Sequence, residues 1–163
     1  MRANVVGKGC SEVERAYLAG FMDADGAIMA CIEKHPQKRY GFRVRVVVKM
    51  TQHERKILDW AQRTLSCGAV RANRAGATAQ TFDLLIRDQQ DAGAVLELLA
   101  PWLRVKRRQA TIALKILAAT IRSKNDLMRV ARFADALSRF NVRSKKRRKN
   151  YATEVKEHVS RND

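Results

Sequence analysis

Two carboxylates, Asp23 and Asp25, close a helix-like stretch in a chain with 33 Lys and Arg against 16 Asp and Glu. They sit at the wrong end for anions. The helix macrodipole is negative at its C-terminus, and each carboxylate there costs a few tenths to about 1 kcal/mol. A cation held at the helix end would reverse that cost, because carboxylate and main-chain carbonyl oxygens together suit Mg2+ or Ca2+. Pairing with a neighbouring Arg or Lys would also do so. On the same stretch Ala16, Gly20 and Ala24 recur at i, i+4 and i+8. Such a strip of small residues lets two helix backbones approach closely, or packs on the chain's own sheet. Were two copies to meet along it, their acidic ends would come together. Paired metal ions are an arrangement for phosphodiester cleavage.

The second chemistry is positive charge. A net +17 on 163 residues points to a polyanionic partner, nucleic acid first and an anionic membrane second. The stretch Phe42 to Lys49 alternates cleanly: Phe42, Val44, Val46 and Val48 face one way, and Arg43, Arg45, Val47 and Lys49 the other. Residues 80–87 repeat the pattern, with Phe82, Leu84 and Ile86 against Thr81, Asp83, Leu85 and Arg87. A sheet of this kind has an apolar face for helices and a basic face for base and phosphate contact.

Other classes recede. Cys10, Cys31 and Cys67 are odd in number and widely spaced, which supports neither a zinc module nor a disulfide framework. The N-terminus lacks the apolar run of a signal peptide. The longest apolar stretch, 110–121, is interrupted by Lys115 and too short to span a bilayer. The chain reads as intracellular, with no membrane partner.

The elements that must position these groups follow from periodicity and punctuation. Ser11 and Glu14 form a capping box for a helix over 11–25, along which Val13, Ala16, Tyr17, Gly20, Phe21 and Ala24 recur at helical spacing; Gly26 is placed to end it. Strands over 27–34 and 42–52 flank a His35-Pro36 turn. A helix over 53–66, strands over 69–74 and 80–87, and a helix over 89–99 complete αββαββα. Helices over 107–121 and 126–140, a basic linker over 143–150 and a short helix over 152–159 follow. The chain divides into a core over 1–141 and a basic, DNA-contacting segment over 142–163.

Residues 17–26, Tyr-Leu-Ala-Gly-Phe-Met-Asp-Ala-Asp-Gly, closely resemble the signature of the LAGLIDADG homing endonucleases, and the order of elements after them is that family's. With one copy of the motif, the chain is similar to the single-motif, homodimeric branch. The segment from Pro101 to Ala110 is similar to the one that carries an active-site lysine in the family, and Ser144 to Lys149 to a basic, phosphate-contacting loop.

The resemblance implies an α+β fold with a curved, antiparallel, four-stranded DNA-binding sheet in each subunit, followed by C-terminal helices. It implies a homodimer, sealed along Ala16, Tyr17, Gly20 and Ala24, that makes a metal-dependent double-strand break in a long pseudo-palindromic DNA. Asp25 and the Ala24 carbonyl would hold Mg2+; Mn2+ would substitute, and Ca2+ would support binding without efficient cleavage. Asp23 would be structural. Lys106 would stand near the scissile phosphate and Gln52 would position water. A further cation would come from Arg55 or Lys56. DNA-facing positions carry over as Cys31, Glu33, His35, Arg43, Arg45, Lys49, Arg71, Asn73, Asp83 and Arg87, with Lys145, Lys146, Arg147, Arg148 and Lys149 as phosphate contacts. The compartment would be an organelle or a prokaryotic cytoplasm. Some members of the family are RNA maturases that assist splicing of their host intron, which is the alternative reading.

Overall fold

The computed structural model describes residues 5–73, 80–141 and 149–161. Helix α1 (Glu12–Asp25) starts at the capping box: the Ser11 hydroxyl accepts from the Glu14 amide, and the Glu14 carboxylate accepts from the Ser11 amide at 2.8 Å. The chain passes from α1 directly into β1 (Gly26–Lys34), turns, and returns as β2 (Phe42–Gln52). Then come α2 (Arg55–Leu65), β3 (Ala69–Asn73), β4 (Thr81–Ile86), α3 (Gln89–Leu99), α4 (Arg107–Ala118), α5 (Lys124–Asn141) and α6 (Tyr151–Arg161).

The four strands form one antiparallel sheet in the order β1-β2-β4-β3. Its apolar face carries Ile28, Ile32, Val46, Val48, Met50, Leu84 and Ile86, all buried beneath the helices. The alternation in β2 and β4 therefore divides the sheet as the sequence predicts, with Arg43, Arg45 and Lys49 on the other face. Where β4 ends, the Gln89 side chain continues the ladder: it accepts from the Val46 amide at 2.7 Å and donates to the Val46 carbonyl at 3.0 Å. Among the described residues, no helix is long and apolar enough to cross a membrane.

Three points differ from expectation. Gly26 ends α1 in an extended conformation, not a left-handed one. It is required because a Cβ there would stand 2.5 Å from the Met22 carbonyl oxygen. Second, of the recurring residues Val13, Ala16, Tyr17, Gly20, Phe21 and Ala24, Phe21 alone packs against the core, on α1's inner side. Leu18, Ala19 and Met22 are fully buried instead, and Val13 is 80% and Tyr17 53% exposed. The helix has two apolar stripes, and the bulkier one takes the sheet. Third, α6 docks on the core. Its first amides, from Tyr151 and Ala152, are capped by the buried Asp135 carboxylate at 2.6 and 3.1 Å, and Tyr151 and Val155 are buried. The C-terminal part of the segment read as a DNA-contacting tail thus packs against α5.

Candidate active site and nucleic-acid interface

Pairing of Gly26 with Met50 sets the end of β2 beside the end of α1. Asp25, the last residue of α1, is exposed, and Gln52 Nε2 donates to its Oδ2 at 3.3 Å. Gln52 is itself oriented by the His53 amide, which donates to its side-chain oxygen at 2.8 Å. A concavity of about 620 Å³ lies here, lined by Gly20, Asp25, Gln52 and Glu54 among others.

Asp23 explains its own position. Its Oδ2 accepts from the amides of Arg104 at 2.7 Å and Val105 at 3.1 Å, and its Oδ1 from the amide of Lys106 at 2.8 Å. Lys106 is the N-cap of α4 but does not cap that helix with its own side chain. The C-terminus of α1 therefore meets the N-terminus of α4, where a negative charge is favourable. Partial burial pushes the Asp23 carboxyl up, but the three amide donors and the Lys106 charge outweigh it and hold the group below the usual carboxylate range. The Lys106 ammonium donates to the Asp23 carbonyl. One carboxylate thus fastens the 104–106 loop, and with it Lys106, to the end of α1 that carries Asp25.

Arg55 and Lys56 open α2. Arg55 Nε pairs with Asp59 at 3.3 Å, and the guanidinium lies 5.8 Å from the centre of the Phe82 ring. Arg55 thus pairs along its own helix at the surface and lies near β4. The Lys56 side chain is exposed and makes no such pairing among the described residues.

The donors present suit a hard divalent cation. Asp25 supplies a carboxylate with one long hydrogen bond and lone pairs to spare, and Ala24, also exposed, a main-chain carbonyl. Among the described residues no three His, Cys, Asp or Glu side chains converge on a metal position.

On the open sheet face the structure brings together two polar clusters. Toward the β1–β2 turn, Glu33 bridges Arg43 and Arg45, with Cys31 opposite Arg45 in register. Burial pushes the Cys31 thiol up, Glu33 adds to this, and Arg45, Lys149 and Arg87 oppose it, which puts Lys149 within electrostatic reach of the face. His35 lies in the turn, its amide donating to the Gly41 carbonyl at 2.7 Å. Nearer Asp25, Asp83 is only 8% exposed. It accepts from Thr51 Oγ1 at 2.6 Å and Asn73 Nδ2 at 3.5 Å, and pairs with Lys49 at 3.5 Å. Asp83 faces the expected way, but its oxygens are occupied by neighbours, so it holds Lys49, Thr51 and Asn73 together on this face. Arg71 and Arg87 are exposed. Thr51 was missed as a member of this face, although the alternation through Arg45, Val47 and Lys49 leads to it directly. Lys145, Lys146, Arg147 and Arg148 lie outside the described residues. Lys149 is held by its amide to Ser138 Oγ at 3.0 Å.

The small-residue strip of α1 is exposed at Ala16, Gly20 and Ala24. A Cβ on Gly20 would meet nothing within 4 Å. Tyr17 borders the strip, its ring edge-on to Trp60 at 5.3 Å. A second concavity of about 550 Å³, lined by Ala16, Gly20, Asp23, Trp102 and Arg104 among others, flanks the strip on its other side. Packing on the chain's own sheet is thereby excluded for this strip.

Comparison with known proteins agrees with this architecture. The DNA endonuclease I-CvuI of Chlorella vulgaris is 33% identical over 128 residues, covering 76% of this chain and 77% of that one. The DNA endonuclease I-CreI of Chlamydomonas reinhardtii is 28% identical over 130 residues, covering 77% of each. The crystal structure of I-CvuI in complex with the I-CreI target superposes with a TM-score of 0.81 at 30% identity, over 92% of this chain and 94% of that one. The archaeal intron-encoded homing endonuclease I-Vdi141I, complexed with DNA, shares the fold at a TM-score of 0.77 and 20% identity, over 92% of this chain and 96% of that one. The family model for LAGLIDADG endonuclease matches residues 18–108, a span that runs from the acidic helix through the whole sheet to Lys106, and the chain belongs to the LAGLIDADG endonuclease family.

Proposed function

We propose that the chain is a site-specific DNA endonuclease of the homing type that works as a homodimer. The observation that carries this reading is the placement of Asp25. It is an exposed carboxylate at the end of a helix whose outer strip is bare, at the border of a basic sheet face. Two copies joined along Ala16, Gly20 and Ala24, with Tyr17 at the border, bring two Asp25 side chains together and set two basic faces end to end. Such a dimer fits a pseudo-palindromic duplex of roughly 20 bp, or two helical turns. One aspartate per subunit then serves one DNA strand.

Asp25 and the Ala24 carbonyl are the groups of this chain that would hold Mg2+, with DNA phosphate oxygens and water completing the shell. When bound, the metal supplies a lowered water pKa and stabilises the leaving oxygen. The chain's own residues do the rest. Gln52, which donates to Asp25, would orient water beside it, and Lys106 would add positive charge toward the scissile phosphate. Lys56 is better placed than Arg55 to supply a further cation, because Arg55 is paired with Asp59. Mn2+ would substitute for Mg2+, whereas the longer, looser coordination of Ca2+ would support binding with poor cutting. The RNA-maturase alternative is not favoured, since the relatives are DNA endonucleases.

Asp25→Asn tests the reading. It keeps the shape and removes the charge, so double-strand cleavage of a selected target should be abolished while tight, specific binding persists. Cleavage should likewise stop in excess chelator. Full cutting by the variant, or by the parent chain without divalent metal, would refute the assignment.

A further inference from the structure

The sheet's open face carries two acids, and Glu33, unlike the nearly buried Asp83, stands exposed between two arginines. Glu33 stands opposite Arg43 in register, with Arg45 on the diagonal. Its Oε2 accepts from Arg43 Nη2 at 3.1 Å and from Arg45 Nη2 at 2.9 Å, and its Oε1 takes a second contact from Arg45 Nη2 at 2.9 Å. The Arg45 guanidinium first, and the Arg43 guanidinium with it, holds the Glu33 carboxyl below the usual carboxylate range. Each guanidinium has five N–H donors in a rigid fork. Glu33 engages only Nη2 of each, and among the described residues nothing accepts from either Nε, although both are shielded from solvent. The shielded Nε groups are out of a base's reach, so the bridge fixes where the two guanidiniums lie and leaves each its Nη1 donors and the spare N–H of Nη2 to meet a base edge.

Resting on the DNA-endonuclease reading above, we propose that Glu33 is a positioning residue for sequence recognition, pinning Arg43 and Arg45 as a preformed pair of forks for two guanines in each half-site. Arg43 and Arg45 leave the strand about 6.8 Å apart, and their shared contact with Glu33 Oε2, at 3.1 and 2.9 Å, keeps their Nη2 groups no farther apart than that. That is about two base steps of 3.4 Å, so the two guanines stand about two base pairs apart when the strand follows the groove. Arginine side chains carry large rotamer freedom, and ordering them before association removes that cost from binding. The carboxylate also acts against the wrong partner. Without it the two cations are free to swing to phosphates, which carry no sequence information. Glu33 thus trades non-specific affinity for discrimination.

The test is selection of bound duplexes from a randomised pool in Ca2+, followed by binding titrations on single-base variants of the selected site, with the full chain and its Glu33→Gln, Arg43→Ala and Arg45→Ala variants. The arginine variants should each relax preference at one guanine. Glu33→Gln should relax the same two positions together, by about tenfold each, a typical fraction of the discrimination of a bidentate contact. It should also strengthen binding to unrelated duplex. Thermal midpoints should stay within a few degrees, since the bridge is at the surface. A change of preference confined to one cytosine position, with both guanines still selected, would mean that Glu33 reads a base itself and would overturn the proposal. So would unchanged selectivity at every position. Failure of the unaltered chain to select any duplex would bring down the endonuclease reading and the proposal with it, a result distinct from the other two.

Discussion

Replacing Asp23 separates the holding of the site from its chemistry. In Asp23→Ala the amides of Arg104, Val105 and Lys106 lose their acceptors, which stand at 2.7, 3.1 and 2.8 Å. Hydrogen bonds to a charged group are worth about 1.5–3 kcal/mol each when secluded. The 104–105 end of the loop is exposed, so water recovers most of the loss there, and the sum falls to about 2–3 kcal/mol. For a chain of 163 residues that is a thermal midpoint lower by about 5–10 °C. Asp23→Asn is milder: its carbonyl still serves two amides, but its NH2 meets the Lys106 amide donor to donor, a cost of about 1–2 kcal/mol. The pH dependence has a definite sign. The carboxyl is held below its ordinary value in the fold, so its stabilisation is fully present above the unfolded-state pKa and is lost as pH falls through the folded one. The gap between parent and Asp23→Asn should therefore be constant near neutrality and close below about pH 4. Urea unfolding at fixed protein concentration, followed from pH 7 to 3, measures it, and cleavage by Asp23→Asn should slow because the Lys106 amide loses its acceptor, while the ammonium keeps its contact with the main-chain carbonyl of residue 23. Equal midpoints at pH 7 for Asp23→Ala and parent, or a gap that widens in acid, would refute the argument.

Gly20→Leu should leave the subunit folded, because the position is exposed and a Cβ there meets nothing of its own chain within 4 Å, yet it should convert dimer to monomer in analytical ultracentrifugation and abolish double-strand cleavage. A monomeric parent that cuts both strands would contradict the assembly. Lys106→Ala should lower the single-turnover cleavage rate by about 10²-fold with little change in affinity, as befits a group acting on the transition state. Neutralising Lys145, Lys146, Arg147, Arg148 and Lys149 to Gln should weaken binding to all duplexes alike and flatten the dependence of log K on log salt by up to about 0.9 per lost phosphate contact. A change in sequence preference without a change in slope would assign those residues to base contacts instead.

By itself the sequence determined the order of elements, the basic face of the sheet and the acidic helix end. Each of these is written in local sequence: a period of two along β2, a capping box four residues wide, two acids closing α1. The structure alone decided which of the two apolar stripes of α1 is buried. A helical repeat marks both, and only the competition of Leu18 and Met22 against Ala16 and Gly20 for the sheet selects between them. It alone decided the partners of Asp23, 81 to 83 residues away along the chain, and those of Asp83 and Glu33. Alternation gives the face on which a side chain stands, whereas hydrogen-bond partners depend on register and on which neighbours reach across it. That is why Asp83 was legible as a face residue but not as a buried hub, and why a carboxylate between two arginines became visible only when the strands were paired.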